Sequence, residues 1–147
     1  MRLLNQIDRS VSLTAQARRE LYVKHNKTVV VLLDDDEPLL RALIRLVTLA
    51  GFKTLAFSRP GDLLKAPIPA GGGCIVLDLF MPEMDGLAVA NQLKAAGNRM
   101  PLILITGRQD ERSERMITQI DHEAVLYKPF PISELLQAIH SATGKGN

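Results

Sequence analysis

The chain has 147 residues, 46% of them hydrophobic and 23% charged, with a net charge of +2, the profile of one globular domain large enough to bury a core unaided. Its single cysteine, Cys74, excludes an internal disulfide, and no apolar run reaches the roughly 18 residues of a membrane span. A cytoplasmic protein with no membrane partner is expected.

Charge is spread unevenly. Residues 1–27 carry Arg2, Arg9, Arg18, Arg19, Lys24 and Lys27 against Asp8 and Glu20, so the basic excess lies in an N-terminal extension and the body is mildly acidic. That extension reads as a solvated or helical arm. The body has no basic patch interleaved with aromatics, which argues against direct nucleic acid contact by this domain.

From residue 28 onward short apolar runs alternate with amphipathic segments. Val29 to Leu33 reads as a buried strand, and the spacing of Leu39, Leu40, Leu43, Ile44, Val47 and Ala50 predicts a helix stopped at Gly51. Lys53 to Phe57 is a second strand, and Pro60 opens a short helix through Lys65. The loop "APIPAGGG" leads into "CIVLDLF", a third strand, and "MPEMDG" is turn chemistry before a helix from about Leu87 to Ala96, ended by Gly97. A fourth strand, "LILIT", follows Pro101. Asp110 to Ile120 is a charged, weakly apolar helix, Ala124 to Tyr127 a fifth strand and Ile132 to Ala142 a last helix.

Five strands alternating with five helices predict an α/β fold, a doubly wound parallel sheet with helices on both faces. Right-handed crossovers point every strand the same way, so all their C-terminal ends share one edge, where open sheets of this kind hold ligands. The residues at those ends are Asp34 and Asp35, Asp78, Thr106 and Lys128. Three carboxylates cannot all stay ionised at close range without a counter-charge. Mg²⁺ suits them, because it takes oxygen ligands and keeps waters for phosphate oxygens. Asp35 and Asp78 are then the direct ligands, with Asp34 acting through water. Asp36, just ahead of a helix with Pro38 in its first turn, reads as an N-cap, and Glu37 suits the helix dipole. Asp78 ends an apolar run, where an unpartnered carboxylate is costly to bury, so a merely structural role fits it poorly.

The pieces "LLDDDEP", "IVLDLFMPEMDGL", "LILITG" and "LYKPF", in that order, resemble the receiver domain of two-component response regulators over about residues 28–143. The resemblance implies strand order 2-1-3-4-5 and the flavodoxin-like receiver fold. It implies that Asp78 accepts a phosphoryl group from the phosphohistidine of a sensor kinase or phosphotransfer protein, while Mg²⁺ and Lys128 neutralise the phosphoryl oxygens. The backbone carbonyl of Phe80 becomes a further metal ligand, Thr106 moves toward the phosphoryl group, and the Lys128–Pro129 bond is of the kind commonly cis in this family. The resemblance also implies a surface of fourth helix, fifth strand and fifth helix that changes on phosphorylation, with homodimerisation through the fourth helix and fifth strand.

Two departures stand out. Val125 occupies the position where receivers usually carry Tyr or Phe, and Asp121 and His122 replace a common Gly-Ala pair. Phe80 and Arg108, two residues after the acceptor and the threonine, are positions expected to set phosphoryl lifetime, here minutes or longer. An aspartyl phosphohydrolase is disfavoured by Pro38 and by the lack of an acidic pair beyond Lys128, and a receiver-shaped module working without phosphate is the main alternative. After the last helix only a short tail, 144–147, is expected, with no output domain in the chain.

Overall fold

Alternation along each strand builds two cores, one on each face of a single sheet. The computed structural model describes residues 14–16 and 28–144. Most of the basic extension expected over 1–27 lies outside the described residues, as do 145–147.

The strands are β1 (Val29–Leu33), β2 (Lys53–Phe57), β3 (Gly73–Asp78), β4 (Leu102–Thr106) and β5 (Ala124–Tyr127). Between and after them run α1 (Glu37–Leu49), α2 (Pro60–Lys65), α3 (Gly86–Ala95), α4 (Glu111–Gln119) and α5 (Ile132–Gly144). All pairings are parallel and the order is β2-β1-β3-β4-β5, as the sequence implied. Val30, Leu32, Cys74, Val76, Ile103 and Ile105 pack with α1 and α5. Val31, Leu33, Ile75, Leu77 and Leu104 face the other way and pack with α2, α3 and α4. Burial on both faces explains why β1, β3 and β4 read as continuous apolar runs.

Local chemistry sets the helix ends. Asp36 caps α1, its Oδ1 accepting from Leu39 N–H at 3.1 Å, with Pro38 in the first turn. Asp85 and Asp110 do the same for α3 and α4, accepting from Ala88 N–H and Ser113 N–H at 2.9 Å each. Gly51 and Gly97 follow their helices at φ 100° and 85°, left-handed geometry that glycine takes without steric cost. Several expected boundaries shift by a residue or two, and α4 is one residue shorter at each end. β3 ends at Asp78 because the chain turns after it, α3 starts one residue earlier at Gly86, and α5 continues to Gly144.

The parallel register positions the site. Leu33 pairs with Leu77, so Asp34 and Asp78 leave the sheet at the same level on neighbouring strands. Thr106 pairs with Tyr127, and Lys128 N–H donates to the Thr106 carbonyl at 2.9 Å, which brings the end of β5 to the same edge.

Candidate functional site

Asp34 is a buried carboxylate, 1% exposed, at the end of β1. Its Oδ1 accepts from Asp36 N–H at 2.8 Å, and its Oδ2 lies 2.8 Å from Lys128 Nζ with no further hydrogen-bond partner among the described residues. Asp78 is 4% exposed, and its Oδ2 lies 3.6 Å from the same ammonium. Asp35 is exposed and offers an oxygen toward the other two, so that ligand atoms of all three carboxylates lie within 4.8 Å of one another. Lys128 follows β5 directly, and the Lys128–Pro129 bond is cis.

This cluster is electrostatically incomplete. One ammonium faces three carboxyl groups, and the shortfall appears in the titration of Asp78, which is pushed up to about 7 by burial and by the charge of Asp34. Lys128 pulls it down in part, a hydrogen bond with Asp35 raises it again, and the Phe80 N–H favours its ionised form. For Lys128, burial works against the charged form, but the Asp34 hydrogen bond and the Asp78 charge outweigh it and raise its pKa. An all-oxygen set with excess negative charge and an under-partnered buried Oδ2 fits a hard divalent cation.

The loop after β3 is held tight against the sheet. Gly86 N–H donates to Leu79 O at 2.8 Å, and a Cβ at Gly86 would sit 2.9 Å from Leu79 Cα, so only glycine lets the loop close this far. That closure fixes Phe80, half-buried, beside Asp78. Its ring lies under two guanidinium groups, Arg108 at 4.2 Å and Arg112 at 5.2 Å from the centroid. Arg108 also donates from Nε to Asp110 Oδ2 at 2.8 Å, and Arg112 Nη2 lies 3.9 Å from Asp85 Oδ2. The Ser113 N–H and the Arg108 guanidinium hold the Asp110 carboxyl down near about 2.

Thr106 is fully buried at the neighbouring strand end, where its hydroxyl engages its own loop: Oγ1 accepts from Arg108 N–H at 3.0 Å and faces Arg108 O at 3.4 Å. Alternation sets it on the face of Leu104 and Val125, toward α4. Asp34, Asp35, Asp78 and Lys128 thus come together as expected, with Phe80 and Thr106 bordering them. Arg112 was missed in the sequence, although it lies four residues after Arg108, one helical turn in a segment that opens a helix.

Two other features lie apart from this edge. Cys74, fully buried in β3, has its thiol pushed up to about 12 by burial and is chemically quiet. A cavity of about 370 Å³ opens at the opposite edge between the C-terminal ends of α3 and α4, with Asp121 and His122 in its wall.

Comparison with known proteins agrees with this geometry. The family model of the response regulator receiver domain matches residues 30–140. The response regulator protein TodT of Pseudomonas putida strain F1 is 36% identical over 121 residues, covering 82% of this chain and 53% of TodT. The C4-dicarboxylate transport transcriptional regulatory protein DctD of Rhizobium meliloti strain 1021 is 32% identical over 116 residues, 79% of this chain and 25% of DctD. The crystal structure of FixJ-N superposes with a TM-score of 0.71 at 28% identity, covering 80% of this chain and 94% of that one. The chain therefore spans about half the length of TodT and a quarter of DctD.

Proposed function

We propose that this chain, which belongs to the response regulator receiver family, takes a phosphoryl group on Asp78 and changes shape in response. A receiver is a signalling switch and not a turnover enzyme, and it implies a cognate sensor kinase as partner. The observation that carries the acceptor assignment is the isolation of Asp78: a carboxylate 4% exposed, crowded by Asp34 and Asp35, with a single ammonium at 3.6 Å. A group held so unfavourably for its own charge needs a reason beyond packing.

In the transfer, an Asp78 oxygen attacks phosphorus in line as the bond from phosphorus to the donor imidazole nitrogen breaks, and the bonding pair returns to that nitrogen. Lys128 places its ammonium against the phosphoryl oxygens, with Asp34 at 2.8 Å fixing where it points. Asp35, Asp78 and the Phe80 backbone carbonyl would hold Mg²⁺, with Asp34 acting through water; the ion supplies positive charge for the phosphoryl oxygens. Once the acyl phosphate exists, Thr106 gains an acceptor for its hydroxyl and leaves Arg108, which loosens the loop into α4. Hydrolysis resets the site, slowly, because Phe80 and Arg108 cover one approach for water.

The rest of the reading follows from membership. The extension over 1–27 is an appendage to the receiver of 28–143, and the altered face regulates a partner or an output domain. β5 is the edge strand and exposes Tyr127, which suits homodimerisation through α4 and β5. No helix among the described residues is long and apolar enough to cross a membrane, and we place the protein in the cytoplasm, without direct nucleic acid contact by this domain.

Titrating beryllofluoride, a phosphoryl mimic, with and without Mg²⁺ tests this. Saturable binding that needs the metal and disappears in Asp78→Asn is expected. An absence of binding at millimolar Mg²⁺ would favour the phosphate-independent module.

A further inference from the structure

The resting contacts of α4 lead back to the acceptor by two routes that share one aromatic ring. α4 spans nine residues, of which Ser113 and Met116 are buried, so polar contacts from neighbouring loops hold much of its first turn. Asp110 caps that turn and pairs with Arg108. Arg112, inside the turn, stands over the Phe80 ring and near Asp85 at the start of α3. Arg108 covers the same ring, while its backbone N–H donates to Thr106 Oγ1. Phe80 itself sits two residues beyond Asp78, in the loop that Gly86 N–H closes onto Leu79 O at 2.8 Å. One residue therefore borders the acceptor along the chain and reaches the β4 threonine through Arg108 and α4 through Arg112. On the Thr106 face β5 carries Val125, with only two methyl groups, and Tyr127, which is 40% exposed.

We propose that Phe80 is the lever of this receiver and Arg112 the positioning residue through which the state of Asp78 reaches α4. The inference rests on the phosphoacceptor reading above. When Thr106 turns its hydroxyl to a phosphoryl oxygen, Arg108 N–H loses its acceptor and the 107–110 loop is released. The Arg108 guanidinium then leaves the ring, and Phe80 and Arg112 settle into a new arrangement that carries the first turn of α4 with them. Attraction between a guanidinium and an aromatic face depends on position over the ring, so a displaced ring pulls on its remaining cation. A helix with few apolar anchors follows such a pull readily.

Hydrogen–deuterium exchange of amides 111–119, with and without Mg²⁺ and beryllofluoride, reads the coupling, and titration of the same ligand reads site competence. The Arg112 side chain is 56% exposed, so its replacement leaves the fold intact. Arg112→Gln should bind beryllofluoride within threefold of wild type while its ligand-dependent exchange change in α4 falls by at least half. Arg112→Lys, which keeps the charge, should restore part of it. Phe80→Leu should lose the response to a similar degree, and the double variant should lose no more than either single one. A full response in Arg112→Gln, or additive losses in the double variant, overturns the relay alone. Failure of the wild type to bind beryllofluoride overturns the phosphoacceptor reading beneath it.

Discussion

Replacing Asp78 with asparagine should stabilise the metal-free protein at pH 8. The carboxyl is 4% exposed and titrates at about 7 in the folded chain against 3.8 as a free side chain, raised by burial and by Asp34. Because the folded value is the higher, the native state keeps a proton that the unfolded state gives up. The stability due to that proton is complete below about pH 4 and is lost as pH rises through about 7. At about 1.4 kcal/mol per unit, three units set a ceiling of about 4 kcal/mol. Asp34 and Asp78 share one ammonium, so the shift belongs partly to the pair and some of the penalty survives at Asp34. Half the ceiling, about 2 kcal/mol, is the expected gain for Asp78→Asn at pH 8, shrinking toward zero near pH 4. Urea titrations of both proteins in EDTA at pH 4.5, 6 and 8 measure it. A variant less stable than wild type at pH 8, or a difference that ignores pH, would refute the reasoning.

Other outcomes follow from the same cluster. Mg²⁺ at ten times its dissociation constant should raise stability at pH 7.5 by about 1.4 kcal/mol, and Asp35→Asn should abolish that gain in thermal melts. Lys128→Met should cost about 2 kcal/mol in urea at pH 8, because it leaves Asp34 Oδ2 buried without the one counter-charge it has among the described residues, and less at pH 5, where Asp78 holds its proton. Phosphorylated wild-type protein should keep its label for minutes or longer. Phe80→Ala and Arg108→Ala should each shorten that time several-fold by opening a path for water, as decay of the acetyl-phosphate-labelled form would report.

Backbone and pattern made much of this molecule legible. Apolar runs gave the strands, Asp36 and Gly51 bracketed α1, and shared strand direction gathered Asp34, Asp35, Asp78 and Lys128 at one edge before any distance was known. Pairwise geometry was beyond that reach. Strand register cannot say that the Lys128 ammonium lies nearer Asp34, at 2.8 Å, than Asp78, at 3.6 Å, because that choice is made by the rotamer of a long side chain. For the same reason Arg112 was hidden, as was the stacking of Arg108 on Phe80: exposed guanidinium groups leave no trace in hydropathy. The Thr106 hydrogen bond to Arg108 depends on how a loop turns back on its strand, which periodicity does not encode.

The most direct test incubates the protein with a small phosphoryl donor and Mg²⁺, traps the product by borohydride reduction and maps the modified residue by peptide mass. One group per chain, at position 78, is the result the geometry requires. Modification at Asp34 or Asp35 instead, or undiminished labelling of Asp78→Asn, would contradict it.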